Sequence, residues 1–83
     1  MVLLALSSKG LKEALSLSTR GGIAAVWCSL DAISEEEFLA LKFPTLTRFN
    51  YSISHAEKDV IAGAMDTIEE HHPGHRIWVE ANV

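Results

Sequence analysis

The amino-acid sequence predicts an α/β domain with a four-stranded, mainly parallel sheet and three helices. Three observations carry that prediction. Short apolar segments alternate with segments of helical period in the order β-α-β-α-β-α-β, which favours a parallel sheet with right-handed crossovers. The first two strand segments are apolar without interruption and suit the centre of a sheet covered on both faces. The last two alternate apolar with polar and suit its edges. The strand order that satisfies all three is 3-2-1-4, half of a doubly wound sheet, with helices one and two on one face and helix three on the other.

Each element has its own local grounds. Val2 to Leu6 is an unbroken apolar run, and Ser7 and Ser8 then offer an N-cap. Leu11, Ala14 and Leu15 fall near one face of the helix that follows, Gly10 and three serines weaken it, and Gly21-Gly22 ends it. Ile23 to Leu30 is the second apolar run, with β-branched and aromatic residues that suit a strand. Ser34 opens a short helix with Glu37 as its capping-box partner, three acidic residues at its positive end and Ile33 placed to staple onto Phe38. Pro44 ends it near Lys42.

Leu46 to Ile53 alternates, with Phe49, Tyr51 and Ile53 on the dry side. Ser54 to Gly74 reads as the principal helix: Val60, Ile61, Ala64, Met65 and Ile68 share one face, Ser54 and Glu57 form a capping box, and Pro73-Gly74 forbids continuation. Arg76 to Ala81 alternates again, with Ile77, Val79 and Ala81 inward and Arg76, Trp78 and Glu80 outward. The rival architecture is a ferredoxin-like α+β fold, with residues 31–45 as a decorated connection. It leaves one sheet face bare and needs a second copy of the chain to cover it.

The 83 residues make a single domain, 1–83, with a marginal core. An apolar fraction of 48% with only two prolines argues against disorder. The net charge of −4 and the scatter of the seven Lys and Arg speak against nucleic acid, which needs clustered positive charge. No basic amphipathic face offers itself to a membrane, and the opening apolar run is too short for a signal segment or a span. The lone cysteine, Cys28, has no partner for an internal disulfide, so a cytoplasmic location is expected.

Chemistry in an open parallel sheet gathers beyond the carboxyl ends of the strands. Those ends carry Ser7, Ser8, Lys9 and Gly10, then Cys28, Ser29 and Asp31, then Ser52, Ser54 and His55, and finally Glu80 and Asn82. Ser7, Ser8, Lys9 and Gly10 form a short loop entering a helix, whose free N–H groups, dipole and lysine suit a phosphate or carboxylate. Helix capping alone also accounts for serines there, and the spacing of a phosphate-binding glycine motif is missing.

Cys28, His55 and Asp31 could serve as nucleophile, base and orienting group, although a buried Cys is more often a small core residue. His71, His72 and His75, with Glu69 or Glu70, have metal-ligating chemistry. Adjacent histidines diverge by about 100° on a helix, however, and imidazoles suit a helix C-terminus without any metal. Arg76, Trp78 and Glu80 lie on the polar side of an edge strand, where Trp and Arg are typical of interface hot spots and free backbone groups invite another chain.

No motif in the chain is specific to a reaction. The expected function is therefore a small acidic cytosolic protein that binds another protein (an inhibitor, an antitoxin-like partner or a subunit) through Arg76, Trp78 and Glu80. It has no catalytic residues, metal or cofactor. The alternative is a domain that holds an anionic metabolite or nucleotide on the Ser7–Gly10 loop. Self-association as a homodimer is a third reading.

Overall fold

The structure, a computed structural model, describes residues 1–81; the expectation for Asn82 lies outside them. The elements follow the order β1 (Val2–Ala5), α1 (Ser8–Ser18), β2 (Ala25–Cys28), a 3-10 turn (Leu30–Ala32), α2 (Glu35–Leu41), β3 (Leu46–Arg48), α3 (Lys58–His71) and β4 (Ile77–Val79). The four strands form one sheet in the order β3-β2-β1-β4, every pair parallel. The sheet is thus the doubly wound half predicted from the apolar patterns. The segment between β2 and β3 is a helical crossover, so the ferredoxin-like alternative falls away.

Two apolar clusters sandwich the sheet. Leu11 and Ala14 of α1 pack with Ala5, Val26, Cys28 and Leu46, and Phe38 of α2 joins them at the margin. On the opposite face, Ala64 and Ile68 of α3 cover Val2, Leu4, Ala25 and Trp27, with Phe49 and Ile53 completing the layer. Successive strand residues point to opposite faces, and β1 and β2 must bury both, which is why their sequences tolerate no polar residue. Burying a side chain such as Leu4 or Ile68 stabilises the fold by about 1.5–3 kcal/mol relative to leaving it in water.

The caps are partly as expected. Ser7 caps α1, its hydroxyl oxygen accepting from the Gly10 N–H at 3.1 Å. The chain turns back to β2 through Gly21 and Gly22, both at positive φ (88° and 82°), where a side chain would be strained. Ser34 caps α2 by accepting from the Glu37 N–H, and its hydroxyl donates to the Glu37 carboxylate. Ile33 and Phe38 both pack against the adjoining cluster.

Three local expectations are corrected. The Ser54–Glu57 capping box does not form: α3 begins at Lys58 with no side-chain cap. Residues 54–57 instead close a turn, with the Glu57 N–H on the Ser54 carbonyl, while His55 is drawn away to the backbone of β4. The third strand stops at Arg48 rather than Ile53. Beyond it the Phe49 N–H donates to Cys28 and the Ile53 N–H to the Ser29 hydroxyl, so the segment folds across the end of β2. The alternation breaks there, leaving Phe49 and Ile53 buried but Tyr51 exposed.

Candidate functional site

The sheet order brings together two stretches that are far apart in the sequence. Because β4 lies beside β1, the Arg76–Glu80 stretch runs next to the loop that leaves β1 for α1. β1 and β4 are also the neighbours at which the strand order reverses, with the crossover that leaves β1 and the one that reaches β4 on opposite faces, so their carboxyl ends form the crevice where open α/β sheets hold ligands. In this chain that crevice is filled from within. Glu80 Oε1 accepts from the Leu6 N–H at 2.7 Å and the Ser7 N–H at 2.9 Å, and Oε2 accepts from the Ser7 hydroxyl at 2.6 Å.

The seat is made by the residues around it. Ser7 is extended, turning the N–H groups of Leu6 and Ser7 toward β4 while its oxygen caps α1. Gly10 supplies the floor: a Cβ there would come within 1.8 Å of Glu80 Oε1. A glycine inside a first helical turn costs about 1 kcal/mol in propensity, and here the missing side chain makes room for a carboxylate. His55 Nε2 donates to the Glu80 carbonyl at 2.8 Å, securing the end of β4 to the segment before α3.

Burial opposes ionisation of Glu80, but the hydrogen bonds from Ser7 and Leu6, with the nearby His55, outweigh it and hold the carboxyl below its ordinary value. Of the other loop residues, Ser8 and Lys9 are exposed at the start of α1.

Beside this latch an open groove of about 530 Å³ runs between α1 and β4. Leu3, Ala14, Leu17 and Trp78 give it apolar walls, and Lys9 and Glu13 add charge. α1 packs over β1 and β2 and leaves the β4 side of the sheet bare, so Trp78 remains 52% exposed. Arg76 is also exposed, with no carboxylate partner among the described residues. The backbone of β4 is engaged on one side only. The Val2 N–H donates to Arg76 O and the Glu80 N–H to Leu4 O, so residues 76, 78 and 80 address β1 and the N–H groups of Ile77 and Val79 turn outward. Among the described residues neither of those two amides meets an acceptor.

The remaining candidates are dispersed. Cys28 is fully buried under α1 and α2, and burial pushes its thiol up to about 11 although Arg48 pulls the other way. A thiol held there stays protonated at neutral pH. His55 is committed to Glu80, and Asp31 accepts from the Ser52 hydroxyl. His71 Nδ1 lies 3.0 Å from the Thr67 carbonyl, and His72 and His75 meet edge to face. No group of three or more His, Cys, Asp or Glu among the described residues is arranged to hold a metal ion.

Three residues also shape the region in roles that the sequence did not assign to them. Ser29, fully buried, accepts from Asp31 and Ile53 and ties the end of β2 to the chain after β3. Trp27 packs at a tilt against both Phe49 and His71, with its indole nitrogen buried and unpartnered among the described residues. His55, readable as a first-turn or catalytic histidine, is a structural tie. The pattern that signals such roles is spatial, and no spacing along the chain carries it.

No helix among the described residues is long and apolar enough to cross a membrane. Comparison with protein-family models, curated proteins and solved structures finds no match for the chain.

Proposed function

We propose that this domain acts without catalysis, by docking another protein chain on the open edge of β4 and the groove beside it. The observation that carries this reading is Trp78, a large apolar side chain half in solvent on an edge strand whose outer amides are unused. Trp and Arg dominate interface hot spots, and free strand edges accept an added strand. Arg76 flanks Trp78 on the same face, while Glu80 fixes the strand to the body of the domain. The net charge of −4 steers basic partners toward the molecule, and a free, buried cysteine fits a cytosolic setting.

The test is capture from the native host's lysate with the intact chain and with Trp78→Ala. The intact chain should retain one partner at stoichiometric yield. The variant should lose at least about tenfold in affinity while its stability changes by no more than about 0.5 kcal/mol, as for other exposed positions. Equal capture by both chains rules out this surface.

A second reading has one observation in its favour. The Ser7–Gly10 loop already seats a carboxylate, so its donors have the geometry an anionic ligand needs. Such a ligand must first expel Glu80. Millimolar phosphate or nucleotide should then raise the unfolding temperature by mass action, and a flat response removes this reading.

A further inference from the structure

We infer that the chain occupying the β4 edge is a second copy of this one, paired antiparallel and centred on Trp78. This inference rests on the docking reading above and names its partner. Three features of β4 converge on that register.

The first is backbone parity. In an antiparallel pair centred on Trp78, Ile77 faces Val79 of the other copy, and Val79 faces its Ile77. These are the residues whose N–H and C=O groups point outward, so all of the free donors and acceptors are matched in hydrogen-bonded pairs. The second is the central contact. Trp78 then faces Trp78 of the second copy as a non-hydrogen-bonded pair, the closer of the two kinds, with both indoles on the face that α1 leaves bare. Aromatic cross-strand pairs are among the more stabilising.

The third feature is charge. The same register sets Arg76 opposite Glu80 of the second copy, twice by symmetry, and opposite charges placed directly across a ladder attract. Among the described residues Arg76 meets no carboxylate, and the Glu80 carboxyl, ionised on its seat of Leu6 and Ser7 donors, keeps its negative charge at that position. Moving the centre by one residue in either direction breaks this charge match, placing Arg76 against Trp78 in one case and Trp78 against Glu80 in the other. The result is an eight-stranded sheet, two copies of 3-2-1-4 joined at β4, with no unpaired edge at its middle.

An interface of one short strand from each copy belongs to the small, reversible class, so the test spans a wide concentration range. Sedimentation velocity of the purified chain from about 10 µM to about 1 mM should show monomer passing to dimer. Over the same range, hydrogen exchange at the Ile77 and Val79 amides should slow at least about tenfold, while exchange at Trp78, already bonded to β1, changes little. Arg76→Glu places like charges across the pair and should weaken the dimer about tenfold or more with the fold intact. Val79→Pro deletes an outward N–H without touching the ladder to β1 and should abolish pairing.

A chain that stays monomeric throughout, with fast exchange at both amides, overturns self-pairing. So does a dimer whose Ile77 and Val79 amides remain unprotected. Neither outcome touches the capture experiment, which is measured separately and in which equal retention by the intact chain and Trp78→Ala refutes the wider docking reading.

Discussion

The sheet has two edge strands of equal length, and they are finished in opposite ways. At β3 the outward N–H of Leu46 donates to Phe43 in a local turn beside Pro44, which leaves the Arg48 amide as the strand's one other outward donor. Arg48 reaches from the same strand to the carbonyls of Ile33 and Leu30 at 3.0 and 3.2 Å, binding the edge to the 3-10 turn and the start of α2. At β4 there is no such turn, no proline and no covering helix on the α1 side; an exposed Trp and two outward amides face solvent. Folded proteins normally blunt their edges because an open one recruits other chains. Where one edge is partly closed and the other left open, the open one is where the proposed contact is expected.

The contrast extends to how each edge is held down. β3 is anchored by its own arginine and by packing under α2. β4 hangs on β1, on α3 and on the Glu80 carboxylate seated at the start of α1. The largest effect is therefore expected from Glu80→Ala, which leaves the Leu6 and Ser7 amides without their acceptor. Stability should fall by about 2–3 kcal/mol, the cost of orphaning such donors, which is roughly 10 °C or more in unfolding temperature for a domain of this size. If the midpoint moves by less than about 2 °C, the carboxylate is not what holds β4.

The same contact makes a prediction about acid. A carboxyl whose value is lowered by folding binds its proton less readily in the folded state. Its contribution is thus complete above its ordinary unfolded value of 4.5 and is lost as pH falls through the lower folded one. The stability gap between the intact chain and Glu80→Ala should be constant near neutrality and close progressively below about pH 4.5. A gap that persists unchanged into strong acid assigns the effect to shape rather than charge.

Arg48→Ala probes the closed edge. It removes two hydrogen bonds from a charged donor to buried-end carbonyls and should cost about 1–2 kcal/mol. The loss should be felt at the 3-10 turn and α2, whose amides exchange faster, and not at β4. Faster exchange at β4 instead would mean that the two edges are not independent.

Much of this architecture was legible because the patterns were about burial. Val2–Leu6 and Ile23–Leu30 read as central strands since no polar residue interrupts them, and Arg76–Ala81 reads as an edge since it alternates. Even the parity of Glu80 was right: it shares the Trp78 side of the sheet. What the pattern could not tell was that this side, at the level of residue 80, meets the first turn of α1 and not water. That meeting depends on β4 lying next to β1, a contact across more than seventy residues. The Ser54–Glu57 capping box failed for a similar reason. Its local chemistry was correct, but the hydrogen bond from His55 to the Glu80 carbonyl holds the segment out of the helix.

Gly10 sharpens the comparison most finely, because there two opposing effects nearly balance. Taken as a helix residue, Gly10→Ala should stabilise α1 by about 1 kcal/mol. Taken as the floor of the Glu80 seat, it places a methyl where the carboxylate now lies, 1.8 Å from Oε1. The backbone there is fixed by the Ser7 cap, so the flexible Glu80 side chain is what gives way. Its displacement forfeits bonds worth about 2 kcal/mol in the intact domain. The net change should be a loss of about 1 kcal/mol. The decisive reading comes from the double variant. Once Glu80→Ala has emptied the seat, adding Gly10→Ala should stabilise, because only the helix term remains. If Gly10→Ala has the same sign in both backgrounds, the carboxylate does not rest on Gly10. A reversal of sign ties the open edge of β4 to the first turn of α1 through one glycine and one carboxylate.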